Sequence, residues 1–255
     1  MGTDLDLNNP QVRQGILLEH VQTGEVLVTA KLCEELGVSI ATIRRDLAAL
    51  EEQGKIERVR GGAIAVRPPS PSYAQRSRGA TPHAFAVQQI WAPFLSANNV
   101  ILADGGRAVL EFMRAMPALP GLMIITPAPA IALLGLERGI ETLLIGGRLS
   151  DKGAISVGAA AERELQNVAT DLCIMGTCAL DVECGASSDD YDEASMRRQM
   201  FAVSTRTIVL AQKDKLGTRA RHAVAPLDKI TALVTDAAPS TCTPFLNQGV
   251  HLEYV

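Results

Sequence analysis

At about 150 residues per domain, a chain of 255 residues holds one large domain or a small one joined to a medium one. A composition 47% hydrophobic and 20% charged can bury a sizeable core, which excludes wholesale disorder and disulfide-dependent miniature folds. The formal net charge of −4 excludes a protein coated in positive potential.

Residues 115 to 136 carry no charge and are long enough to span a bilayer core of about 30 Å. Pro117, Pro120, Pro127 and Pro129, with Gly121 among them, would break a spanning helix, so the segment reads as turn, strand, turn and helix start, and no membrane association is expected. The opening Met1-Gly2-Thr3-Asp4-Leu5-Asp6 is acidic and lacks the basic flank and apolar run of a secretory signal, which makes the cytoplasm the expected compartment. Cys33, Cys173, Cys178, Cys184 and Cys242 form an odd set without C-x-x-C. That argues against a disulfide framework or a structural zinc site; reduced thiols filling apolar positions are expected, with no cofactor and no metal.

Residues 11 to 22 place Val12, Ile16, Leu17 and Val21 near helical spacing, which predicts a first helix closed by Gly24. A second runs from Thr29, a candidate N-cap, through Leu32 and Leu36 to Gly37, where the chain can turn left-handed. Ser39 can cap a third, in which Ile43, Leu47 and Leu50 form one buried stripe. At 100° per residue, Arg45 points about 200° away from Ile43, with Thr42 and Arg44 flanking the stripe. Helix, short turn, and helix with an outward Arg-Arg pair is the arrangement that puts a recognition helix into the major groove of double-stranded DNA.

After Gly54, Lys55-Ile56-Glu57-Arg58-Val59-Arg60 alternates polar and apolar, Gly61-Gly62 supplies a turn, and Ala63-Ile64-Ala65-Val66 forms a second short strand. Residues 1 to 38 hold two basic and six acidic side chains, whereas residues 39 to 67 hold six basic and four acidic, so the positive stretch is local to the third helix and this wing. Ser39, Thr42, Arg44, Arg45, Lys55, Arg58 and Arg60 are the candidate DNA contacts, with Arg58 and Arg60 on phosphates.

Several motifs carry a resemblance here: Gln14-Gly15-Ile16-Leu17, Leu36-Gly37-Val38-Ser39, Thr42-Ile43-Arg44-Arg45-Asp46-Leu47, Leu50-Glu51, Gly54 and Arg60-Gly61-Gly62-Ala63. In order and spacing they resemble the N-terminal winged helix-turn-helix domain of DeoR-type bacterial transcriptional regulators.

Pro68-Pro69-Ser70-Pro71-Ser72 has the composition of a stiff spacer, which divides the chain into a DNA-binding domain (1–66), a linker (67–82) and an α/β domain (83–255). Phe85, Ile90, Trp91, Phe94 and Leu95 predict a partly buried helix over 83–97, bent at Pro93. Beyond it, β-type runs begin at Val100, Leu122, Thr142, Leu172, Thr207, Ala232 and Leu252, separated by helical patterns such as 107–116, 128–138, 158–168 and 192–204. The expected fold class is therefore α/β, with a largely parallel sheet covered on both faces behind an N-terminal winged helix-turn-helix domain.

In such sheets ligands gather at the carboxyl ends of strands. Asp104-Gly105-Gly106-Arg107 follows the first strand, Thr126-Pro127 the second, Gly146-Gly147-Arg148 the third, Gly176-Thr177-Cys178 the fourth, and Gln212-Lys213-Asp214-Lys215 the fifth. Glycines permit close backbone approach, helix N-termini favour anions, and Arg or Lys can complete a phosphate or carboxylate site.

This layout is similar to the C-terminal domain of the same family, which implies a fold like ribose-5-phosphate isomerase and a sensor for a phosphorylated sugar. Gly146, Gly147, Gly158, Gly176, Gly185, Glu193 and Arg198 fit the family pattern. Its usual D-S-G-T-T stands here as Asp104-Gly105-Gly106-Arg107-Ala108, its T-N as Thr126-Pro127, and its D-x-S-K as Gln212-Lys213-Asp214-Lys215. Arg107 offers charge in place of the missing hydroxyls.

The candidate effector residues are Asp104, Gly105, Gly106, Arg107, Thr126, Gly146, Gly147, Gly176, Glu193 and Lys215, and the expected effector is a small anionic sugar derivative, a sugar phosphate first. The expected function is that of a homo-oligomeric DNA-binding regulator, a repressor of carbohydrate-metabolism genes. The alternative is an isomerase-type enzyme with Glu193 as base and Lys215 as its electrostatic partner.

Overall fold

The computed structural model describes residues 7–22, 27–59, 61–65, 72–77 and 85–255. The N-terminal part runs α1 (Pro10–Gln22), β1 (Leu27–Val28), α2 (Thr29–Leu36), α3 (Ile40–Glu52), β2 (Ile56–Val59) and β3 (Gly62–Ala65). Its core is small and closed: Leu17, Leu27, Leu32, Ile43, Leu47, Leu50 and Ile56 are buried together. Each such side chain removed from water stabilises the fold by roughly 1.5–3 kcal/mol.

Gly37 ends α2 in the left-handed conformation, φ 62°, its N–H bonding the Cys33 carbonyl. Ser39 caps α3 by accepting from the Thr42 amide at 3.2 Å. The expected cap at Thr29 is not formed; Thr29 is already helical and Val28 precedes it without a side-chain bond, because Leu27 and Val28 are drawn into the wing sheet. That sheet has three strands in the order β1-β3-β2, not two. Val66 and Arg60 lie outside the described residues, as do Gly24 and Pro68–Pro71 of the spacer.

Within the linker, α4 (Tyr73–Ser77) is a short helical turn whose Tyr73 amide donates to the Asp151 carbonyl at 2.7 Å. The helix expected over 83–97 is not present; a 3-10 turn, Gln88–Trp91, and irregular chain take its place. Trp91 explains the departure: it is fully buried, stacks on Phe112 with centroids 4.4 Å apart, and donates its indole N–H to the Phe112 carbonyl at 3.2 Å. Packing one aromatic outweighs helical continuity.

The C-terminal part then proceeds through β4 (Val100–Ala103), α5 (Arg107–Arg114), β5 (Met123–Thr126), α6 (Pro129–Glu137), β6 (Glu141–Leu144), β7 (Arg148–Leu149), β8 (Ser156–Val157), α7 (Ala159–Leu165) and β9 (Thr170–Gly176). It continues with β10 (Ala179–Asp181), β11 (Gly185–Ser188), α8 (Tyr191–Ala202), β12 (Ser204–Ala211), β13 (His222–Ala225), β14 (Ala232–Thr235), α9 (Pro239–Asn247) and β15 (His251–Tyr254). Seven strands form one parallel sheet in the order β15-β14-β12-β9-β4-β5-β6. The chain winds outward from β4 through β5 to β6, then returns to β9 on the other side and winds outward again to β15. The reversal therefore falls between β4 and β9. β10, β11 and β13 make a second, antiparallel sheet that the apolar pattern does not announce.

Candidate DNA-binding surface and effector site

On α3, Arg44 and Arg45 are exposed, whereas Ile43, Asp46, Leu47 and Leu50 point into the core. Ser39 is exposed beside them, Thr42 is half-buried, and their two hydroxyls lie 2.9 Å apart. Lys55 and Arg58 are exposed at the base and along the first long strand of the wing. The described candidates thus lie on the N-terminal half of α3 and on and beside β2.

The second site begins at the reversal in the parallel sheet. Gly105 and Gly106 follow β4, and Gly106, φ 95°, precedes α5, whose first residue is the half-buried Arg107. No side chain caps α5, so its first amides face this corner. Asp104 is fully buried, and its Oδ2 accepts from Arg197 Nε at 2.9 Å and from the Gly176 amide at 3.2 Å. Oδ1 makes no hydrogen bond of ordinary geometry among the described residues. Burial pushes the Asp104 carboxyl above the usual carboxylate range, against the opposing pull of the Arg197 charge and hydrogen bond.

Arg197 is the hub. Besides Asp104 it donates from Nη1 to Ser188 Oγ at 3.2 Å and to Glu193 Oε2 at 3.1 Å. Burial works against its charge, but the neighbouring Asp104, Cys178 and Glu193 prevail and keep the guanidinium protonated. Glu193 spends its other oxygen on the Ser150 hydroxyl and on the Gly153 amide, the latter at 2.6 Å. With both oxygens engaged inside the protein and 2% exposure, Glu193 braces the loop of residues 150–155 and is not placed to take a proton from a ligand.

Gly105 serves this loop directly. A Cβ there would stand 2.4 Å from Ile155 Cγ2 and 2.7 Å from the Gly153 carbonyl oxygen. Its lack of a side chain is thus required by loop packing.

The structure brings Asp104, Gly105, Gly106, Arg107, Gly176 and Glu193 together at the ends of β4 and β9. Thr126 is adjacent but inward: its hydroxyl donates to the Ala103 carbonyl at 2.6 Å and accepts from the Ala128 amide at 3.0 Å. Gly146 and Gly147 follow β6, two strands from β4, and Lys215 follows β12, two strands away on the other side. β12 is the neighbour of β9, so Lys215 starts nearer the centre than Gly146 and Gly147 do. The Gly146 amide is taken by Glu164 at 3.1 Å, and Lys215 is paired with Asp214 at 2.9 Å.

Arg197, Ser150, Gly153 and Ser188 were not among the residues that the sequence singled out; Arg198 was. Arg198 instead leans outward, donating to the Ala223 carbonyl at 2.7 Å. The signal for Arg197 was present in the phase of α8: Glu193 and Arg197 stand one turn apart on the face that also buries Met196 and Met200.

A winged helix-turn-helix module followed by a parallel α/β module with a buried charged cluster at its topological switch point defines a two-domain DNA-binding transcriptional regulator. The DeoR-like helix-turn-helix domain family matches residues 13–68, and the DeoR C terminal sensor domain family matches residues 86–237. The chain belongs to the DeoR family.

It is 32% identical over 229 residues to the HTH-type transcriptional regulator GlpR of Haloferax volcanii, covering 89% of this chain and 90% of that protein. It is 31% identical over 229 residues to a putative aga operon transcriptional repressor of Escherichia coli O157:H7, covering 88% of this chain and 85% of that one. A solved D-ribose-5-phosphate isomerase in complex with phospho-erythronic acid aligns with 52% of this chain and 53% of its own, at a TM-score of 0.39 and 14% identity, too distant to carry an argument about activity. No helix among the described residues is long and apolar enough to cross a membrane.

Proposed function

We propose that the protein is a cytoplasmic repressor of carbohydrate-metabolism genes, released or engaged by a small anionic sugar derivative, a phosphate ester first and a sugar acid second, bound at the ends of β4 and β9. The observation that carries this reading is Asp104: a buried carboxyl at the sheet's switch point, one oxygen held by Arg197 and Gly176, directly before the uncapped start of α5. The α5 amides and Arg107 would take the anionic group, with Asp104 fixing the corner from beneath through Arg197 and Gly176. The repressor names of the aga operon relative and of GlcR from Bacillus subtilis, 27% identical over 240 residues, support the direction of control.

Ser39, Thr42, Arg44 and Arg45 read or position the duplex in this proposal, and Lys55, Arg58 and Arg60 meet phosphates. Two copies bind together, since one small module makes few base contacts and pairing raises affinity through effective concentration. Leu133 and Leu136 on α6 and Leu144 on the edge strand β6 are exposed, which supports an interface within residues 83–255.

A thermal-shift screen of phosphorylated sugars, sugar acids and their unphosphorylated forms identifies the ligand, because a molecule that binds only the folded protein raises its melting temperature. Calorimetry then compares wild type with Arg107→Ala and Lys215→Ala. Loss of affinity in Arg107→Ala is expected, with a smaller loss in Lys215→Ala, whose ammonium is already paired with Asp214. A ligand that binds both variants as tightly as wild type places the site elsewhere.

A further inference from the structure

The wing and the sensor domain meet through a charged contact on the side of the wing turned away from Arg58. Arg221, exposed in the turn before β13, donates from Nε to Glu57 Oε1 on β2. Glu57 alternates with Arg58 along the strand, so the two side chains leave opposite faces. The Glu57 side chain is 19% exposed, whereas Arg58 is open to solvent. The Glu57 hydrogen bond and charge, then Asp189 and Glu51, hold the Arg221 guanidinium above its ordinary pKa. Glu51, at the C-terminal end of α3, accepts from the Arg58 amide at 3.4 Å, so the strand that carries Glu57 is tied to the end of the helix away from Arg44 and Arg45.

Strand register carries this contact back to the buried ion cluster. Ser188, the last residue of β11, pairs across the antiparallel ladder with His222, the neighbour of Arg221. Ser188 Oγ accepts from Arg197, and Arg197 grips Asp104. A second tie runs from the same site to the linker: the loop packed on Gly105 accepts the Tyr73 amide at its Asp151 carbonyl.

We propose that Arg221 and Glu57 form a latch that fixes the wing against the sensor domain, and that the Asp104–Arg197–Ser188 chain sets this latch from the effector loop. The latch leaves the DNA-reading surface open, so it preorganises the wing for the duplex and costs affinity when broken. The link to the effector rests on the ligand site proposed above; the latch itself does not. A ligand that moves Arg197 then has a mechanical route to the wing of two hydrogen bonds and one strand pair, which is the differential contact that a coupled change in DNA affinity requires.

A double-mutant cycle on the full-length protein tests it, read as affinity for a duplex made from its own upstream DNA. Glu57→Gln and Arg221→Gln are each expected to weaken binding by about two- to fivefold, and the double variant by no more than either alone. The salt dependence of Arg221→Gln should match wild type, whereas a phosphate contact would lower its slope by about one. Ser188→Ala should weaken binding in the same sense and add nothing to Arg221→Gln. Additive Gln effects, no effect, or a lowered slope overturns the latch; additivity of Ser188→Ala with Arg221→Gln overturns its connection to the ion cluster. Arg221 is exposed and Glu57→Gln keeps the shape of its side chain, so the cycle stands even if Ser188→Ala does not fold. A wild type that keeps the latch coupling but responds to no anionic sugar refutes the effector reading alone.

Discussion

Arg13 of α1 clasps Asp46 of α3 with two parallel hydrogen bonds, Nε to Oδ2 at 2.7 Å and Nη2 to Oδ1 at 3.1 Å. Both side chains are buried, and the remaining guanidinium nitrogen, Nη1, donates to the Leu7 carbonyl at 2.7 Å. Asp46 directly follows the two exposed arginines of the recognition helix, so the inward carboxylate sets the rotation at which they face outward.

Removing one partner strands the other charge in the core. Asp46→Ala is therefore expected to cost about 3–5 kcal/mol of stability, read as a lower urea midpoint, while replacing both residues by apolar ones of similar volume should cost much less. If Asp46→Ala unfolds at the wild-type midpoint, the pair does not hold the helix.

On the DNA surface, Arg45→Ala should lower affinity for the specific duplex by roughly 1–3 kcal/mol while leaving nonspecific binding nearly unchanged. Arg58→Ala should weaken all duplexes alike and reduce the salt slope by about one. Unchanged binding by the Arg44→Ala/Arg45→Ala double variant in a gel-shift titration would remove α3 from the interface.

The pH dependence of stability carries the signature of Asp104. Its folded pKa is raised by burial, so its contribution to stability is fully present below the unfolded value of 3.8 and is lost as pH rises through the folded value. Denaturation at a series of pH values should show wild-type stability falling relative to Asp104→Asn across that window. A difference that grows in favour of wild type with rising pH would mean that Arg197, not burial, governs the carboxyl.

Gly105→Ser places the residue usual in the family's D-S-G-T-T into a space already filled by Ile155 and the Gly153 carbonyl. The expected cost is about 1–3 kcal/mol, lowered by pairing it with Ile155→Ala, which vacates the Cγ2 position. A melting temperature equal to wild type for Gly105→Ser alone would show that the loop of residues 150–155 yields freely.

The parallel sheet was legible in the sequence because its strands are apolar on both faces and separated by helical periods; Val100–Ala103 and Ala232–Thr235 begin where expected. The antiparallel strands were not. β10 and β11 are short and built largely of small residues, and their geometry is secured by distant partners, Asp181 by Arg219 and Ser187 by the Ala220 amide. In the site, Asp104 and the glycines could be placed by strand ends alone, but Arg197 and Arg198 are equivalent in composition, and only the buried phase of α8 separates them. Gly146 is equivalent to Gly176 in following a strand, and spatial strand order, which the sequence does not state, is what moves it outward to the end of β6.

Asp104 and Arg197 are 93 residues apart in the chain. At a synthesis rate of about 5–20 residues per second, the carboxylate leaves the ribosome roughly 5–20 s before the guanidinium that neutralises it. Until β9 follows at Thr170–Gly176, β4, which ends up near the middle of the sheet, is one edge of a β4-β5-β6 fragment with its ladder groups open to other chains. The winged domain, made first and holding its own core, has no such wait. Nascent chains stalled before residue 170 should therefore carry a folded DNA-binding domain beside an aggregation-prone half-sheet.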